Sequence, residues 1–291
     1  MTDLADRPDV SPELRLVPHA FRETFGRPAT GVWYSPGIVT LMPGVSVCAR
    51  WGAIVAAERR TDGVLEVVSI NKPAEPWRVP AAEFTSVNPP AWAEPVSRVV
   101  SLLQPAGATL MCSVDLPAGS GLSSPMALAC AAALALRDLW RPEMALESLI
   151  ALLGPTGTAA FAGYGLGLDL DGAALLVIDT RIRREVPMPP RVVTPVCCTS
   201  VSALGRSLTA HHRSGVREPA QDLAVDAALA AGAFGASSLV DEPGRPVSVL
   251  CEPGGLSTVR AYVSDAFRSG NALAPRYLTI KPAAGATRIT P

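Results

Sequence analysis

Lysine is nearly absent from this 291-residue chain, in which Lys72 and Lys281 are the only two lysines and arginine supplies the other basic side chains. No lysine accompanies a glycine-rich turn, which excludes a phosphate-binding loop of the Walker type. Charged residues are also scarce, at 18% of the chain, and the 25 basic residues balance the 26 acidic ones. Proteins that bind nucleic acid carry a basic excess, so we expect no nucleic-acid partner.

Histidine and clustered cysteine are equally scarce. The three histidines are His19, His211 and His212, and none of the six cysteines has a C-x-x-C spacing. These patterns argue against a metal site and predict buried free thiols in a reduced compartment. The chain starts with no basic segment followed by an apolar stretch, and it has no apolar run of membrane-spanning length. We therefore expect a cytoplasmic protein without a membrane partner.

The pattern of strands and helices favours an α+β fold. The stretch "GVWYSPGIVTLMPGVSVCARWGAIVAAERR" alternates apolar blocks with Pro-Gly breaks and predicts several short strands. Helices are expected from Ser124-Pro125, across "PEMALESLIALLG", in "PAQDLAVDAALAAGAFG" up to about Gly232, and in "LSTVRAYVSDAFRSGN". Strands and helices do not alternate regularly, which favours two layers over a doubly wound sheet. Residues 1–17 are predicted to be a flexible N-terminus.

A glycine- and serine-rich turn stands between a buried strand and an alanine-rich helix in "DLPAGSGLSSPMALACAAALAL", from Asp115 to Leu136. Its backbone amides and the positive end of the helix dipole can hold an anion, and its small residues allow phosphate to approach the backbone. A tight strand-to-helix turn needs glycine for purely structural reasons, and that alternative stays open. The candidate phosphate-binding residues are Pro117, Gly119, Ser120, Gly121, Leu122, Ser123 and Ser124.

This turn and its helix resemble the second motif of GHMP kinases, in the galactokinase form P-x-G-x-G-L-S-S-S-A-A-L. Further resemblances follow in the family's order: "FRETFGRPATGVWYSPGIVTLM", "WAEPVSRVVSLL", "LGRSLTAHHRS" and "LAVDAALAAGAFGAS". They extend from about Pro18 to Gly285. The resemblance implies a two-lobed GHMP kinase fold, with an N-terminal lobe like ribosomal S5 at 18–179 and a ferredoxin-like C-terminal lobe at 180–291. It also implies an interlobe cleft and Mg-ATP as cofactor.

The chain departs from the family where the resemblance places the sugar and the catalytic groups. Ile38 stands at the position of the family's arginine, and Pro43-Gly44 leads directly into a strand that resumes at about Val45, so the sugar-binding loop is expected to be deleted. Ala160 occupies the position of the catalytic aspartate. Asp169 and Asp171 lie nearby and fit ordinary turn or surface carboxylates, with Asp169 as the candidate for a substitute base. An isoleucine cannot stabilise developing phosphoryl charge.

Two further motifs are altered. The glycine-rich third motif corresponds to "SSLVDEPGRPVSVL", where Asp241 and Glu242 bring negative charge and prolines remove amides. Pro125 also removes an amide and a hydroxyl from the phosphate turn. The segment before "LGRSLTAHH" is short, so we expect a missing helical layer and a partner subunit that covers the exposed apolar surface.

These departures favour a non-catalytic pseudoenzyme that senses a ligand or binds a partner, in the setting of carbohydrate metabolism and with ATP binding retained or lost. The alternatives are a divergent ATP-dependent kinase of a sugar or cyclitol, acting on a hydroxyl group, and a structural subunit of an oligomer. In the kinase alternative the further polar candidates are Arg50, Arg181, His211 and His212. The competing interpretation places both histidines on a helix surface or helix end and Arg181 on a solvated strand edge.

Overall fold

The computed structural model describes residues 12–42, 45–84, 86–116, 121–162, 172–182, 200–215, 218–239 and 246–289. Helices and strands are mixed along the chain, as the sequence predicts. The helices are α1 (Pro12–Phe25), α2 (Glu94–Leu103), α3 (Ser124–Trp140), α4 (Leu146–Ala162), α5 (Val201–Arg213), α6 (Pro219–Ala230) and α7 (Leu256–Ser269). The strands are β1 (Gly31–Met42), β2 (Val45–Arg59), β3 (Val64–Ser69), β4 (Trp77–Pro80), β5 (Ala108–Val114), β6 (Ala174–Asp179), β7 (Gly235–Ser238), β8 (Val247–Cys251), β9 (Arg276–Ile280) and β10 (Thr287–Ile289).

The described strands form two sheets. The first has six strands in the order β10-β1-β2-β5-β3-β4, and the second has four in the order β7-β8-β6-β9. β6 therefore belongs to the second sheet, so the change of sheet falls before the lobe boundary that the sequence placed at 179. A buried strand has the same apolar sequence pattern in either sheet, so the pattern alone cannot assign β6 to one of the two sheets.

β1 and β2 form one long hairpin instead of the several short strands that the Pro-Gly breaks predict. Pairing runs from Gly31 opposite Ala57 to Met42 opposite Val45, with a register shift between Pro36 and Gly37. A bulge absorbs the extra residues, so the proline and glycine bend the ladder without ending it. β2 begins at Val45, as expected.

The N-terminal helix α1 begins at Pro12, inside the stretch predicted to be flexible. Val17 and Phe21 are fully buried on it and pack with Ile54 and Met111 of the first sheet. This contact accounts for the difference, because apolar burial orders a terminus whose flanking residues are polar.

A single apolar core joins the two sheets. Leu175 and Val177 of β6 and Leu250 of β8 lie in the same buried cluster as Trp33 and Leu110 of the first sheet. The alternate residues of β6, Leu176 and Ile178, face the opposite way into a second cluster with α6 and α7. The second sheet is thus covered on both faces. The start of α3 lies where the two sheets meet, because Gly121 packs against Leu239 and Pro246 beside the second sheet. No helix within the described ranges is long and apolar enough to cross a membrane.

Candidate functional site at the start of α3

The turn before α3 has an unusual backbone in its described part, Gly121 to Ser124. Gly121 has φ of 76° and Ser123 has φ of 44°, both in the left-handed region. A left-handed serine costs about 1 kcal/mol or more, so the surroundings must hold this conformation in place. Pro117, Gly119 and Ser120, the other candidate phosphate-binding residues, lie outside the described residues, so nothing tests that part of the prediction.

The first turn of α3 offers few amides to an anion. Pro125 has no N–H, and the amides of Met126 and Ala127 donate to the Ser123 carbonyl oxygen at 3.0 and 3.1 Å. Among the described residues of this turn, Ser124 supplies the amide that the helix itself cannot use. The side chains of Ser123 and Ser124 are half-buried.

Gly121 is packed against the second sheet. A Cβ at this position would lie 2.6 Å from Cγ of Pro246 and 2.7 Å from Cδ1 of Leu239. The Leu239 amide donates to the Pro246 carbonyl at 2.8 Å and closes the base of the connection between β7 and β8. That connection holds Asp241 and Glu242, which are outside the described residues. The turn and the expected third motif therefore meet, as the family resemblance implies.

Ile38 and Ala160, which the sequence analysis expects at the positions of the family's arginine and aspartate, lie in one apolar cluster. Both are fully buried, together with Cys130 and Ala159. The Ile38 amide donates to the Leu122 carbonyl at 3.0 Å, which ties β1 to the glycine-rich turn. Both residues are thus uncharged and closed to water.

Backbone carbonyl groups around this cluster also accept hydrogen bonds. The thiol of Cys48 donates to the Ala159 carbonyl at 3.3 Å, and the Ala286 amide donates to the Ala160 carbonyl at 2.8 Å. Burial raises the pKa of the Cys130 thiol to about 12, with the nearby Ser35 hydroxyl acting in the opposite direction. Cys130 is therefore an uncharged, unreactive thiol at neutral pH.

The remaining polar candidates do not converge on this cluster. Arg50 is exposed, and its carbonyl accepts a 2.8 Å hydrogen bond from the Tyr34 hydroxyl, whose pKa burial raises. Arg181 is also exposed and follows β6, where its amide donates to Asp179. Asp169, the substitute base of the sequence analysis, lies outside the described residues.

His212 lies in the last turn of α5, at a helix end as the competing interpretation expects, but it is buried and not on the surface. It is 1% exposed, its Nδ1 lies 3.2 Å from the Ser238 hydroxyl, and its Nε2 lies 3.1 Å from Asp222 Oδ1. The three side chains come from α5, α6 and β7 and connect these elements. Helical periodicity could have suggested the burial, because His212 follows Leu204 and Leu208 at a spacing of four residues.

A surface groove that the sequence analysis did not anticipate runs between α2, α3 and α4. Its volume is about 460 Å³, and we call it the helical groove. Pro125 and Met126 of α3 line it together with Leu102 of α2 and Leu152 of α4. Both leucines are 45% exposed, which is unusual for large apolar side chains.

No group of three or more His, Cys, Asp or Glu side chains in the described ranges is arranged to hold a metal ion. Mg-ATP is the cofactor that the resemblance implies. The described part of the turn fits it poorly, because Pro125 has no amide and Gly121 is packed against Pro246.

Comparison with known proteins agrees with this architecture. Residues 94–175 match the family described as GHMP kinases N terminal domain. A galactokinase from Streptomyces coelicolor is 26% identical over 374 residues, covering 92% of this chain and 97% of that protein. Since this alignment is longer than the 291-residue chain, the relative contains residues without a counterpart here.

Solved structures share the fold at low sequence identity. Lactococcus lactis galactokinase, solved with galactose, has a TM-score of 0.76 at 15% identity, covering 95% of this chain and 100% of the other. Homoserine kinase from Cytophaga hutchinsonii has a TM-score of 0.60 at 16% identity, covering 89% and 97%. The two sheets and the glycine-rich helix start thus define the fold of the GHMP kinases. Residues 94–175 thus match the N-terminal domain of the GHMP kinases, and over most of its length the sequence is similar to a galactokinase.

Proposed function

We propose that this galactokinase-like protein is a pseudoenzyme, which binds a small molecule or a protein partner without transferring a phosphoryl group. The observation that carries the proposal is the apolar cluster of Ile38, Cys130 and Ala160. Phosphoryl transfer depends on positioned charge around the reacting oxygens. A buried cluster of aliphatic and thiol side chains supplies no such charge.

The β1–β2 hairpin supports the same proposal. Met42 is paired with Val45, so only two residues connect the strands. The family resemblance places the loop that holds the sugar at this connection. A two-residue connection is too short to fold back over a sugar, so galactose recognition of the family's kind is not expected here.

The glycine-rich turn supports a weakened nucleotide site. Gly121 touches Pro246 and Leu239, and Pro125 removes an amide from the first helical turn. If Mg-ATP binds, the amide of Ser124 and the hydroxyls of Ser123 and Ser124 are the described groups that would contact its phosphates. ATP bound there would supply a transferable phosphoryl group, but Ala160 provides no base to activate an acceptor hydroxyl.

A divergent ATP-dependent kinase of another small molecule is the second candidate. The left-handed backbone at Gly121 and Ser123 favours it, because consecutive amides in such a turn form an anion-binding concavity. Some kinase chemistry proceeds largely by positioning and charge stabilisation, so the absence of the aspartate alone does not exclude it.

Titration calorimetry of Mg-ATP into the purified protein tests whether a nucleotide site is retained, and an assay of ADP formation tests whether the protein transfers a phosphoryl group. The site variant is Gly121→Asp, which introduces charge and a side chain at the packed turn. The matched control is Gly63→Asp, since Gly63 has a similar φ of 73° and nothing within 4 Å of a Cβ. Circular dichroism verifies that each variant is folded.

The pseudoenzyme proposal expects no ADP formation from ATP in the presence of galactose, whether or not nucleotide binds. A binding heat that disappears in Gly121→Asp and persists in Gly63→Asp would identify a functional nucleotide-binding site. It would justify a wider search for molecules that accept the phosphoryl group. Galactose-dependent turnover at a rate typical of kinases, about 1–100 per second, would overturn the proposal.

A further inference from the structure

Three polar side chains meet inside the C-terminal half of the protein and connect α5, α6 and β7. His212 of α5 lies between Asp222 of α6 and Ser238 of β7, with Nε2 3.1 Å from Asp222 Oδ1 and Nδ1 3.2 Å from the Ser238 hydroxyl oxygen. His212 and Ser238 are each 1% exposed. A buried imidazole with a polar partner on each side can gain or lose a proton near neutral pH, which an apolar residue at this position could not.

The two partners determine which ring nitrogen carries the hydrogen in the neutral state. An ionised carboxylate only accepts hydrogen bonds, so Nε2, which faces Asp222, carries the hydrogen. Nδ1 then has a free lone pair and accepts the hydrogen of the Ser238 hydroxyl. The neutral ring is therefore expected as the Nε2–H tautomer, with hydrogens donated in one direction from Ser238 through His212 to Asp222.

A second proton on the ring reverses one of these hydrogen bonds. Both nitrogens of an imidazolium donate, so Nδ1–H would point to the Ser238 oxygen, and the hydroxyl hydrogen would have to turn to another acceptor. The charged ring would stay paired with the Asp222 carboxylate. Asp222 also offers a route for the proton, because its side chain is 23% exposed whereas that of His212 is 2% exposed.

Other ionisable groups lie on α5 and on the described elements that pack against it, namely Arg206, His211 and Arg213 on α5, Asp222 and Asp226 on α6, Tyr34 on β1 and Cys251 on β8. Burial raises the pKa of the Tyr34 hydroxyl and of the Cys251 thiol, so both stay uncharged where histidine titrates. His211 is half-buried and precedes the ring directly, so the two histidine rings must be observed separately.

Ser238 is adjacent to the residues that hold the glycine-rich turn. Leu239 follows it directly, is 3% exposed, and donates its amide hydrogen to the Pro246 carbonyl at 2.8 Å. A Cβ on Gly121 would lie 2.7 Å from Leu239 Cδ1 and 2.6 Å from Pro246 Cγ, so the turn rests on both side chains. A displacement of Ser238 therefore reaches Gly121 through directly packed neighbours, which transmit strain because they are close-packed.

We propose that His212 is a proton-responsive link, in which protonation of the ring reverses the hydrogen bond with Ser238 and changes the packing of Leu239 against Gly121. The device belongs to the fold and does not depend on whether the chain transfers phosphoryl groups. Because the turn at Gly121 is the candidate anion site, the proton acts as an effector of this site.

Nuclear magnetic resonance of the unmodified, ¹⁵N-labelled protein from about pH 5 to 8 tests the link. Long-range spectra of the ring nitrogens should show the Nε2–H tautomer of His212 at high pH and the imidazolium form at low pH. The variants His19→Gln and His211→Gln assign the ring signals. The amide signal of Gly121 should move with the same midpoint as the His212 ring.

The Gly63 amide is the control signal and should not move over this range. Gly63 has a similar φ of 73° and nothing within 4 Å of a Cβ. The hydrogen bond from Arg60 lowers the pKa of the neighbouring Asp62 to about 2, so this carboxylate does not titrate during the experiment.

Two neighbouring serines give a matched pair of variants. Ser238→Ala removes the hydroxyl between the ring and β7, so the His212 ring should still titrate while the pH-dependent movement of the Gly121 amide is lost. Ser237→Ala removes another buried hydroxyl of the same strand, which donates to the Ser238 carbonyl at 3.4 Å, and should preserve that movement. Circular dichroism and the thermal midpoint verify that both variants are folded.

Asp222→Asn tests the pairing of the charged ring. The substitution removes the charge opposite the imidazolium and should lower the midpoint of the His212 ring titration by about 1 pH unit or more. An unchanged midpoint would contradict the assignment of Asp222 as the partner of the charged ring.

A His212 ring that stays neutral over the whole pH range would overturn the proposal and leave a purely structural contact. So would a Gly121 amide that does not follow the ring, or one that responds equally in the two serine variants. An Nδ1–H tautomer would contradict the direction of the hydrogen bonds. The tautomer and the titration are measured on the unmodified protein, so they decide the proposal even where a variant fails to fold.

Discussion

Ile38 and Ala160 occupy one uncharged environment inside the fold. Each is fully buried, and they touch the same neighbours although they are far apart in the chain. A charged side chain at either position would need a partner, because an unpaired buried charge costs several kcal/mol. The packing of the cluster is therefore matched to the uncharged residues that occupy it.

Substitution of Ala160 by aspartate tests this packing. We expect Ala160→Asp to lower the free energy of unfolding by about 3 kcal/mol or more at pH 7, because the carboxylate is buried among Ile38, Cys130 and Ala159. Protonation near pH 4–5 should recover part of the loss. Thr158→Asp, at an exposed position of the same helix, is the control and should change stability by less than about 0.5 kcal/mol. Equal effects of the two substitutions in urea denaturation would show that position 160 is open to water.

The buried thiol of Cys130 makes the stability of the fold depend on pH in the alkaline range. Burial raises its pKa from 9.0 to about 12, so above pH 9 the unfolded chain loses this proton while the folded protein keeps it. Stability from this group is complete below pH 9 and is lost as the pH rises toward 12. We expect the unfolding free energy to fall by up to about 1.4 kcal/mol per pH unit for this thiol.

Cys130→Ala isolates that contribution from the other groups that titrate in the same range. The variant should be less stable at neutral pH but should lose stability more slowly between pH 9 and pH 11, as measured by urea denaturation. Parallel curves for the two proteins would mean that the folded thiol ionises as readily as the unfolded one.

The residues that form the cluster could be named from the sequence only through the family resemblance. That Ile38 and Ala160 share an environment could not be anticipated from composition or periodicity, because apolar side chains carry no pairing signal of their own. The same limit applies to the helical groove, since exposed leucines and buried leucines look identical in a sequence.

For the helices and strands, local sequence signals predict the boundaries correctly where they rest on particular residue types. Ser124-Pro125 marked the start of α3, and Gly232 follows the end of α6 closely. Pro36 and Gly37 predict a break between short strands, and this prediction is wrong because the β1–β2 hairpin bends around a bulge there. Gly52 takes part in this bend, since a Cβ there would meet the Ser35 carbonyl oxygen and the Tyr34 ring.

The contact between α5 and β7 depends on two facing glycines. A Cβ on Gly205 would collide with the Phe234 backbone, and a Cβ on Gly235 would collide with the Gly205 carbonyl. The Thr209 hydroxyl accepts a 3.2 Å hydrogen bond from the Ala236 amide across the same contact. The helix therefore lies directly on the strand, which positions His212 beside Ser238.

Gly205→Ala should lower stability in spite of the better helix propensity of alanine. Propensity favours alanine by about 1 kcal/mol, whereas overpacking against a backbone that cannot rotate away costs about 1–3 kcal/mol or more. We expect a net loss of about 1–2 kcal/mol in urea denaturation. Gly254→Ala is the control, because nothing lies within 4 Å of a Cβ there. A stabilised Gly205→Ala variant would mean that α5 moves away from β7 at little cost.

The whole molecule is held together across its two sheets. Apolar residues of β6, β8 and β9 share one cluster with those of β1, β2 and β5. The last strands reinforce this connection: β9 pairs with β6 in the second sheet, and β10 pairs with β1 in the first. We therefore regard the two lobes as one packed unit.

The segment between β9 and β10 makes that connection with backbone hydrogen bonds. The Arg50 amide donates to the Lys281 carbonyl at 3.1 Å, and the Ala283 amide donates to the Cys48 carbonyl at 3.0 Å. Together with the hydrogen bond from the Ala286 amide to the Ala160 carbonyl, these contacts hold the segment against the apolar cluster that contains Ile38 and Ala160. The segment between β9 and β10 therefore completes the packing around the β1–β2 hairpin and the apolar cluster.

This arrangement has a consequence for protein synthesis. The outer edge of β1 pairs with β10, which lies much later in the chain, so this edge stays unpaired until β10 has been synthesised. Until then the nascent chain presents an open strand edge, of the kind that attracts other chains and the holding chaperones that shield them. The first sheet can therefore be completed only after β10 has left the ribosome, although its other strands are synthesised much earlier.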